Sequence, residues 1–82
     1  MALTQRITAP SEIPPAQKYV LIQAGNKNGL TRDGDNFVVT VDRGVPENLF
    51  QAHLQTAISD AELLAEQERL DAVFVCIPAV TG

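Results

Sequence analysis

The sequence predicts a small α+β domain with the element order β-β-α-β behind an extended N-terminal arm. Three observations predict this class. Residues 18–24 (KYVLIQA) and 36–43 (NFVVTVDR) are rich in β-favouring side chains. Residues 46–70 are helix formers with apolar residues three and four apart, and residues 71–78 (DAVFVCIP) are again apolar. We therefore expect residues 18–82 to form one domain, a three-stranded sheet with one helix, and residues 1–17 to form the arm.

The arm has neither helical nor strand periodicity. Its prolines and spaced apolar residues are Pro10, Pro14, Pro15, Leu3, Ile7 and Ile13. The prolines remove amide donors and favour extended backbone, while an arm needed only for solubility would have no use for the apolar residues. Two interpretations are open: the arm wraps over its own domain, or it docks on a neighbour.

The first two predicted strands differ in the faces they offer. The first is apolar on both faces, with Tyr19 and Leu21 on one and Val20 and Ile22 on the other. The second is apolar on one face, which consists of Phe37, Val39 and Val41.

The segment between these strands contains two turn dipeptides, Asn28-Gly29 and Asp33-Gly34. Both suit a type I′ turn, because both central positions tolerate positive φ. Either the strands extend to a tight turn at Asp33-Gly34, or the whole segment is a mobile loop.

The predicted helix has one apolar stripe, consisting of Phe50, Leu54, Ala57, Ile58, Ala61, Leu64 and Ala65. Pro46 and Glu47 suit its first turn. Ser59 and Glu62 have the spacing of a capping box, which would allow a break there. We favour one continuous helix, because no glycine or proline interrupts it.

The last predicted strand is apolar on both faces, which indicates an interior position or a covered face. A right-handed crossover through the helix makes the second and third strands parallel. One helix covers only one face of the sheet. The other face would present residues such as Val20, Ile22, Val38, Phe74 and Cys76, or their alternates. The arm, a second copy or a partner protein would have to cover it.

Composition limits the classes of partner. The 82 residues carry a net charge of −4, which argues against binding to nucleic acid. Residues 1–44 carry five basic and four acidic residues, whereas residues 45–82 carry one basic and six acidic. No run approaches the ~20 apolar residues of a membrane span, so we expect no membrane partner. A single cysteine excludes an internal disulfide and fits a cytoplasmic protein.

No residue cluster has the pattern of a catalytic, cofactor or metal site. His53 is the only histidine and Cys76 the only cysteine, and the two would meet only if the helix packs on the last strand. Asp33, Asp35 and Asn36 form an oxygen-rich turn too short for a calcium loop. We therefore expect no enzyme activity, no cofactor, no metal and no small-molecule substrate.

These observations favour a non-enzymatic structural or assembly protein. It would bind copies of itself or a larger scaffold, such as a viral capsid-type lattice assembled in the cytoplasm, through its arm and an apolar sheet face. The alternative is a small acidic regulator or inhibitor that binds one protein partner through a sheet edge or the acidic helix. The predicted partner contacts are Leu3, Ile7, Ile13, Pro14, Pro15, Val20 and Ile22.

Overall fold

The computed structural model describes residues 3–77 as one mixed sheet of five strands and one long helix. Its elements are β1 (Leu3–Arg6), β2 (Tyr19–Gly25), β3 (Gly29–Asp33), β4 (Asn36–Asp42), α1 (Glu47–Glu68) and β5 (Ala72–Cys76), with a short 3-10 helix at Pro10–Glu12. The strand order is β1-β5-β2-β4-β3. The first four of these are parallel neighbours, and β3 runs antiparallel to β4. The α+β class is confirmed.

The expectation of a three-stranded sheet is wrong, because β1 and β3 were not predicted. β1 has the sequence LTQR, which alternates too little to indicate a strand, and its partner β5 lies almost seventy residues away in the chain. β3 has the sequence GLTRD and is exposed at every position. The predicted second and third strands, β4 and β5, are parallel, and β2 lies between them.

The helix is continuous over 22 residues, as expected, so the capping-box sequence at Ser59 does not break it. The first helical hydrogen bond runs from the amide of Phe50 to the carbonyl of Pro46, at 2.9 Å. The helix ends at Arg69 in the left-handed conformation, with φ of 56°. The predicted stripe is confirmed, because its members are buried or half-buried against the sheet: Phe50, Leu54, Ala57, Ile58, Ala61, Leu64 and Ala65.

Arg69 is a non-glycine residue in a conformation that favours glycine. We expect Arg69→Gly to raise the free energy of unfolding by about 0.5–1 kcal/mol, because glycine adopts positive φ without a clash. Gln67→Gly is the control, since an exposed position inside the helix should lose about 1 kcal/mol instead. Urea unfolding of both variants measures the two changes. An Arg69→Gly variant no more stable than the parent chain would contradict the expectation.

Two crossover connections cover the two faces of the sheet. The helix connects β4 to β5 past β2, and residues 7–18 connect β1 to β2 past β5. The two connections run in opposite directions on opposite faces, so they have the same handedness.

The helix-side face holds the larger part of the core. Val20 and Ile22 of β2 and Val73 and Val75 of β5 are buried there beneath the helix. Phe37 and Val41 of β4 complete the sheet side of this cluster. The alternation predicted for β4 is confirmed.

The opposite, arm-side face holds a smaller cluster under the arm. Its buried members are Leu21, Ala72 and Phe74. Four half-buried residues pack against them: Ile7, Ile13, Tyr19 and Cys76. The arm therefore covers this apolar face, and it is one of the three candidate covers that the sequence allowed. In this structure the arm wraps over its own domain.

The segment between β2 and β4 forms a tight hairpin, not a mobile loop. The register pairs Asp33 with Asn36, so the two-residue turn is Gly34-Asp35. Gly34 has φ of 62°, whereas Asp35 does not have positive φ. This is the pattern of a type II′ turn with glycine first. The turn thus lies one residue beyond the type I′ position expected at Asp33-Gly34.

Candidate functional site

His53 and Cys76 lie on opposite faces of the sheet. His53 lines a groove on the helix side with Val39 and Val41. Cys76 packs into the arm-side cluster beside Phe74. The sheet therefore separates the two groups, and they form no nucleophile–base pair.

The groove beside His53 has a volume of about 240 Å³ and lies between the helix and the β3–β4 hairpin. Val39, Val41 and Ala57 form its apolar part, and Asn28 contributes from the start of β3. The Nδ1 atom of His53 is buried and has no hydrogen-bond partner among the described residues. No described residue therefore orients the imidazole ring of His53 through this atom.

The oxygen-rich turn joins the hairpin to β2. The side chain of Asn36 accepts a hydrogen bond from the amide of Tyr19 at 3.0 Å and so fixes the start of β2 against β4. Asp33 pairs with Asn36 at the end of the hairpin. Within residues 3–77, no three groups able to ligate a metal come together.

The arm is held to the domain at several points. Beyond β1, the amide of Ile7 donates to the carbonyl of Val75 at 2.9 Å. At the far end of the arm, the amide of Lys18 donates to the carboxylate of Asp71 at 2.9 Å, and the amide of Asp71 donates to the carbonyl of Lys18 at 2.8 Å. Among the residues that the structure describes, half-buried apolar contacts hold the arm between these points, so the docking is modest in extent.

The middle of the arm is organised by Glu12. Its carboxylate accepts hydrogen bonds from the hydroxyl of Thr8 and from the amides of Thr8 and Ala9. These bonds, the Thr8 hydroxyl first, lower the pKa of Glu12 below its ordinary value. A lowered pKa means that the bonds are present at neutral pH and are lost as the pH falls through the folded-state pKa.

The predicted partner contacts divide into three groups. Val20 and Ile22 are 0% exposed beneath the helix, so they cannot contact a partner of the folded chain, and their assignment is corrected. Ile7 and Ile13 are half-buried between the arm and the sheet. The exposed remainder of the set is Leu3, Pro14 and Pro15.

Both edges of the sheet lie at the surface. At one edge, Leu3 of β1 is 62% exposed. At the other, all five residues of β3 are exposed, and Leu30 is 59% exposed. The β3 edge was absent from the predicted contacts. An apolar residue alternating with Thr31 just before an Asp-Gly turn was the signal available for it.

The second half of the helix presents an acidic surface. Glu62 accepts a hydrogen bond from the hydroxyl of Thr4 at 2.6 Å, which ties β1 to the helix. Within the described part of the chain, the one ion pair joins Arg43 to Glu47 at 3.6 Å, at the other end of the helix. The exposed carboxylates of this acidic surface are Asp60, Glu62, Glu66 and Glu68.

Comparison with known proteins gives no match to a family model, a curated protein or a solved structure. Within residues 3–77, no helix is long and apolar enough to span a membrane. Three exposed features of the described chain are available to a partner: the arm, the two sheet edges and the acidic surface.

Proposed function

We propose that this chain is a non-enzymatic structural protein that assembles, through its N-terminal arm, with copies of itself or with a larger protein scaffold such as a viral capsid-type lattice. The observation that supports this proposal is the docking of the arm. One short strand and two half-buried isoleucines, Ile7 and Ile13, attach to an acceptor surface that every copy of the chain also has. A cytoplasmic site of assembly belongs to the same proposal and is supported by the free thiol of Cys76.

The contacts of the arm can be made between chains as well as within one. The acceptor consists of β5 and the cluster around Phe74. An arm that leaves its own acceptor can occupy the same acceptor on a neighbour and form the same hydrogen bonds and apolar contacts. Exchange of an identical element costs little for this reason.

The connection to β2 is long enough for exchange. With Ile7 and Ile13 docked on a neighbour as they dock here, residues 14–18 are left to bridge the two copies and can span about 17 Å when extended. Pro10, Pro14 and Pro15 bias this connection toward extended backbone. The arm can therefore reach an adjacent copy.

A domain of this size also benefits from association. A chain of roughly 60–80 residues buries only about 60% of its unfolded surface, which leaves a small stability margin. The sequence has one cysteine and therefore no internal disulfide to add to that margin. Partner chains are the remaining common source of stabilisation.

A single substitution in the full-length chain tests arm exchange by using the native thiol. The register Arg6–Val75 continues to Ile7 and Cys76, and neighbouring strands about 4.8 Å apart fall within the Cα range of a disulfide. We expect Ile7→Cys, oxidised at high protein concentration, to form disulfide-linked dimers and larger species as well as a cross-linked monomer. Non-reducing electrophoresis and mass spectrometry measure these products.

Two controls accompany this experiment. Thr8→Cys moves the thiol to the next, exposed position and should cross-link little to Cys76. Ile7→Cys combined with Cys76→Ala should remove every disulfide between the arm and the sheet. Arm exchange is excluded if Ile7→Cys forms only the disulfide within one chain at every protein concentration and the native mass stays that of a monomer.

The acidic surface of the helix favours a second candidate, a small regulator or inhibitor that binds one basic protein partner. Glu66 and Glu68 are exposed and form no ion pair with the described residues. Such a complex would weaken steeply as salt is added, because its attraction is screened. Arm-mediated assembly, which depends on apolar contacts and backbone hydrogen bonds, would respond little to salt.

A further inference from the structure

The outer edge of β3 is a surface on which another strand can pair. Its five residues continue the sheet beyond β4 in an unbroken register from Gly29 to Asp33. Natural edge strands are usually protected by charged side chains, above all lysine, by a proline or a bulge, or by a covering element. β3 contains neither proline nor lysine, and its extensive contacts within the described chain are with β4 alone.

The charged side chain at the centre of this edge is folded back onto its own hairpin. The guanidinium of Arg32 lies over the ring of Phe37, 5.5 Å from its centroid. Its Nε donates to the carbonyl of Gly34 at 3.1 Å. Arg32 therefore does not extend across the edge to block an incoming strand.

The hairpin register determines which backbone groups point outward. The pair that closes a two-residue turn, Asp33 and Asn36, exchanges hydrogen bonds, and such pairs alternate along an antiparallel ladder. Thr31 and Gly29 therefore bond to β4. Leu30 and Arg32 direct their N–H and C=O groups to the free edge.

These outward groups select one arrangement for two copies. Pairing about a two-fold axis at Thr31 places Leu30 of each copy opposite Arg32 of the other and satisfies all the outward groups of both residues. An axis at Arg32 brings two like charges face to face. An axis at Leu30 pairs Leu30 with Leu30 of the other copy, and the outward groups of Arg32 then face a residue outside β3. The Thr31 axis is the best matched of the three.

The charges along the strand favour the same antiparallel arrangement. Lys27 precedes β3, while Asp33 and Asp35 lie at its far end. Antiparallel pairing brings Lys27 of each copy toward the acidic turn of the other. Parallel pairing would align like charges instead.

We infer that the β3 edge binds the β3 edge of a second copy of this chain about a two-fold axis at Thr31. The two sheets then join into one continuous ten-stranded sheet, a closed and isologous contact. The exposed side chain of Leu30 packs in that contact beside the aliphatic part of Arg32 from the other copy. This contact names a partner for the assembly function proposed above and rests on it.

Covalent trapping tests the contact, because an edge of five residues is smaller than a stable standard interface. The full-length chain with Cys76→Ala receives one cysteine at a time: Leu30→Cys, Thr31→Cys or Arg32→Cys. At the axis, a non-hydrogen-bonded pair has a Cα separation of about 4.5 Å. The other two positions lie about 8 Å from their own copies, beyond the reach of a disulfide. We expect Thr31→Cys to form dimers at least 10-fold faster than either neighbour under mild oxidation.

A second pair of variants distinguishes backbone pairing along the edge from the contacts of its side chains. Leu30→Pro removes an outward amide but no bond to β4, and a proline is tolerated at such a position. Added to Thr31→Cys, it should abolish the rapid dimer formation, whereas Leu30→Thr should retain most of it. Circular dichroism checks that both variants remain folded. Equal rates at positions 30, 31 and 32, or a maximum at 30 or 32, would overturn the proposed contact.

The two cross-linking tests fail independently. The arm test depends on Ile7→Cys and native Cys76, whereas the edge test removes Cys76. If Thr31→Cys forms dimers but the arm does not exchange, the edge contact is supported and assembly by arm exchange is excluded. Arm exchange without those dimers would retain assembly and exclude the edge contact.

Discussion

Replacing Phe50 with alanine is expected to remove a large share of the free energy of unfolding of this domain. Phe50 is 0% exposed and lies in the core between the helix and the sheet. The substitution of a buried phenylalanine by alanine costs about 3–5 kcal/mol. A domain of this length has a total stability of about 4–12 kcal/mol. The guanidinium of Arg43, 3.9 Å from the ring centroid, would lose its contact as well.

Urea unfolding followed by far-ultraviolet circular dichroism measures this change. Phe50→Leu is the size control and should cost far less, since leucine retains most of the buried volume. Leu49→Ala is the position control. Leu49 directly precedes Phe50 but is exposed, so this substitution should change the free energy of unfolding by less than about 0.5 kcal/mol. A loss below about 1 kcal/mol for Phe50→Ala would contradict the role given to this core.

The helix and β4 could be predicted because their sequences are periodic, and β2 and β5 because they are short runs of apolar, β-favouring residues. The stripe from Phe50 to Ala65 has helical spacing, and Phe37, Val39 and Val41 alternate. β1 could not be predicted, because four mostly polar residues become a strand only through pairing with distant β5. β3 is exposed throughout, so it has no buried face for the pattern to reveal.

The faces of β2 explain what was wrong in the predicted contacts. Both faces of β2 are apolar, so its sequence does not indicate which one the helix covers. Val20 and Ile22 turned out to lie beneath the helix, and Leu21 beneath the arm. Ile7 and Ile13 were predicted as contact residues solely because they are apolar residues spaced along a polar arm. Their docking in this structure is on their own sheet, and docking on a neighbour remains the proposal.

Replacing Phe74 with alanine is expected to release the arm and also to destabilise the domain. Phe74 is 2% exposed at the centre of the arm-side cluster, and its ring meets that of Tyr19 edge-on with centroids 6.0 Å apart. The cost should again be about 3–5 kcal/mol. Here the space left behind lies directly under Ile7 and Ile13, whose contacts hold the arm down. β1 should therefore open more often than the rest of the sheet.

Cleavage by trypsin separates release of the arm from global unfolding. Arg6 lies in β1, and Arg69 lies at the end of the helix, so the two sites report on the arm and on the helix. In Phe74→Ala, cleavage after Arg6 should accelerate at least 10-fold more than cleavage after Arg69. In Phe50→Ala, both sites should accelerate together, because that cavity lies on the helix side. Phe74→Leu should resemble the parent chain. If Arg6 and Arg69 respond equally to Phe74→Ala, the arm is part of one cooperative unit with the domain and is not free to exchange.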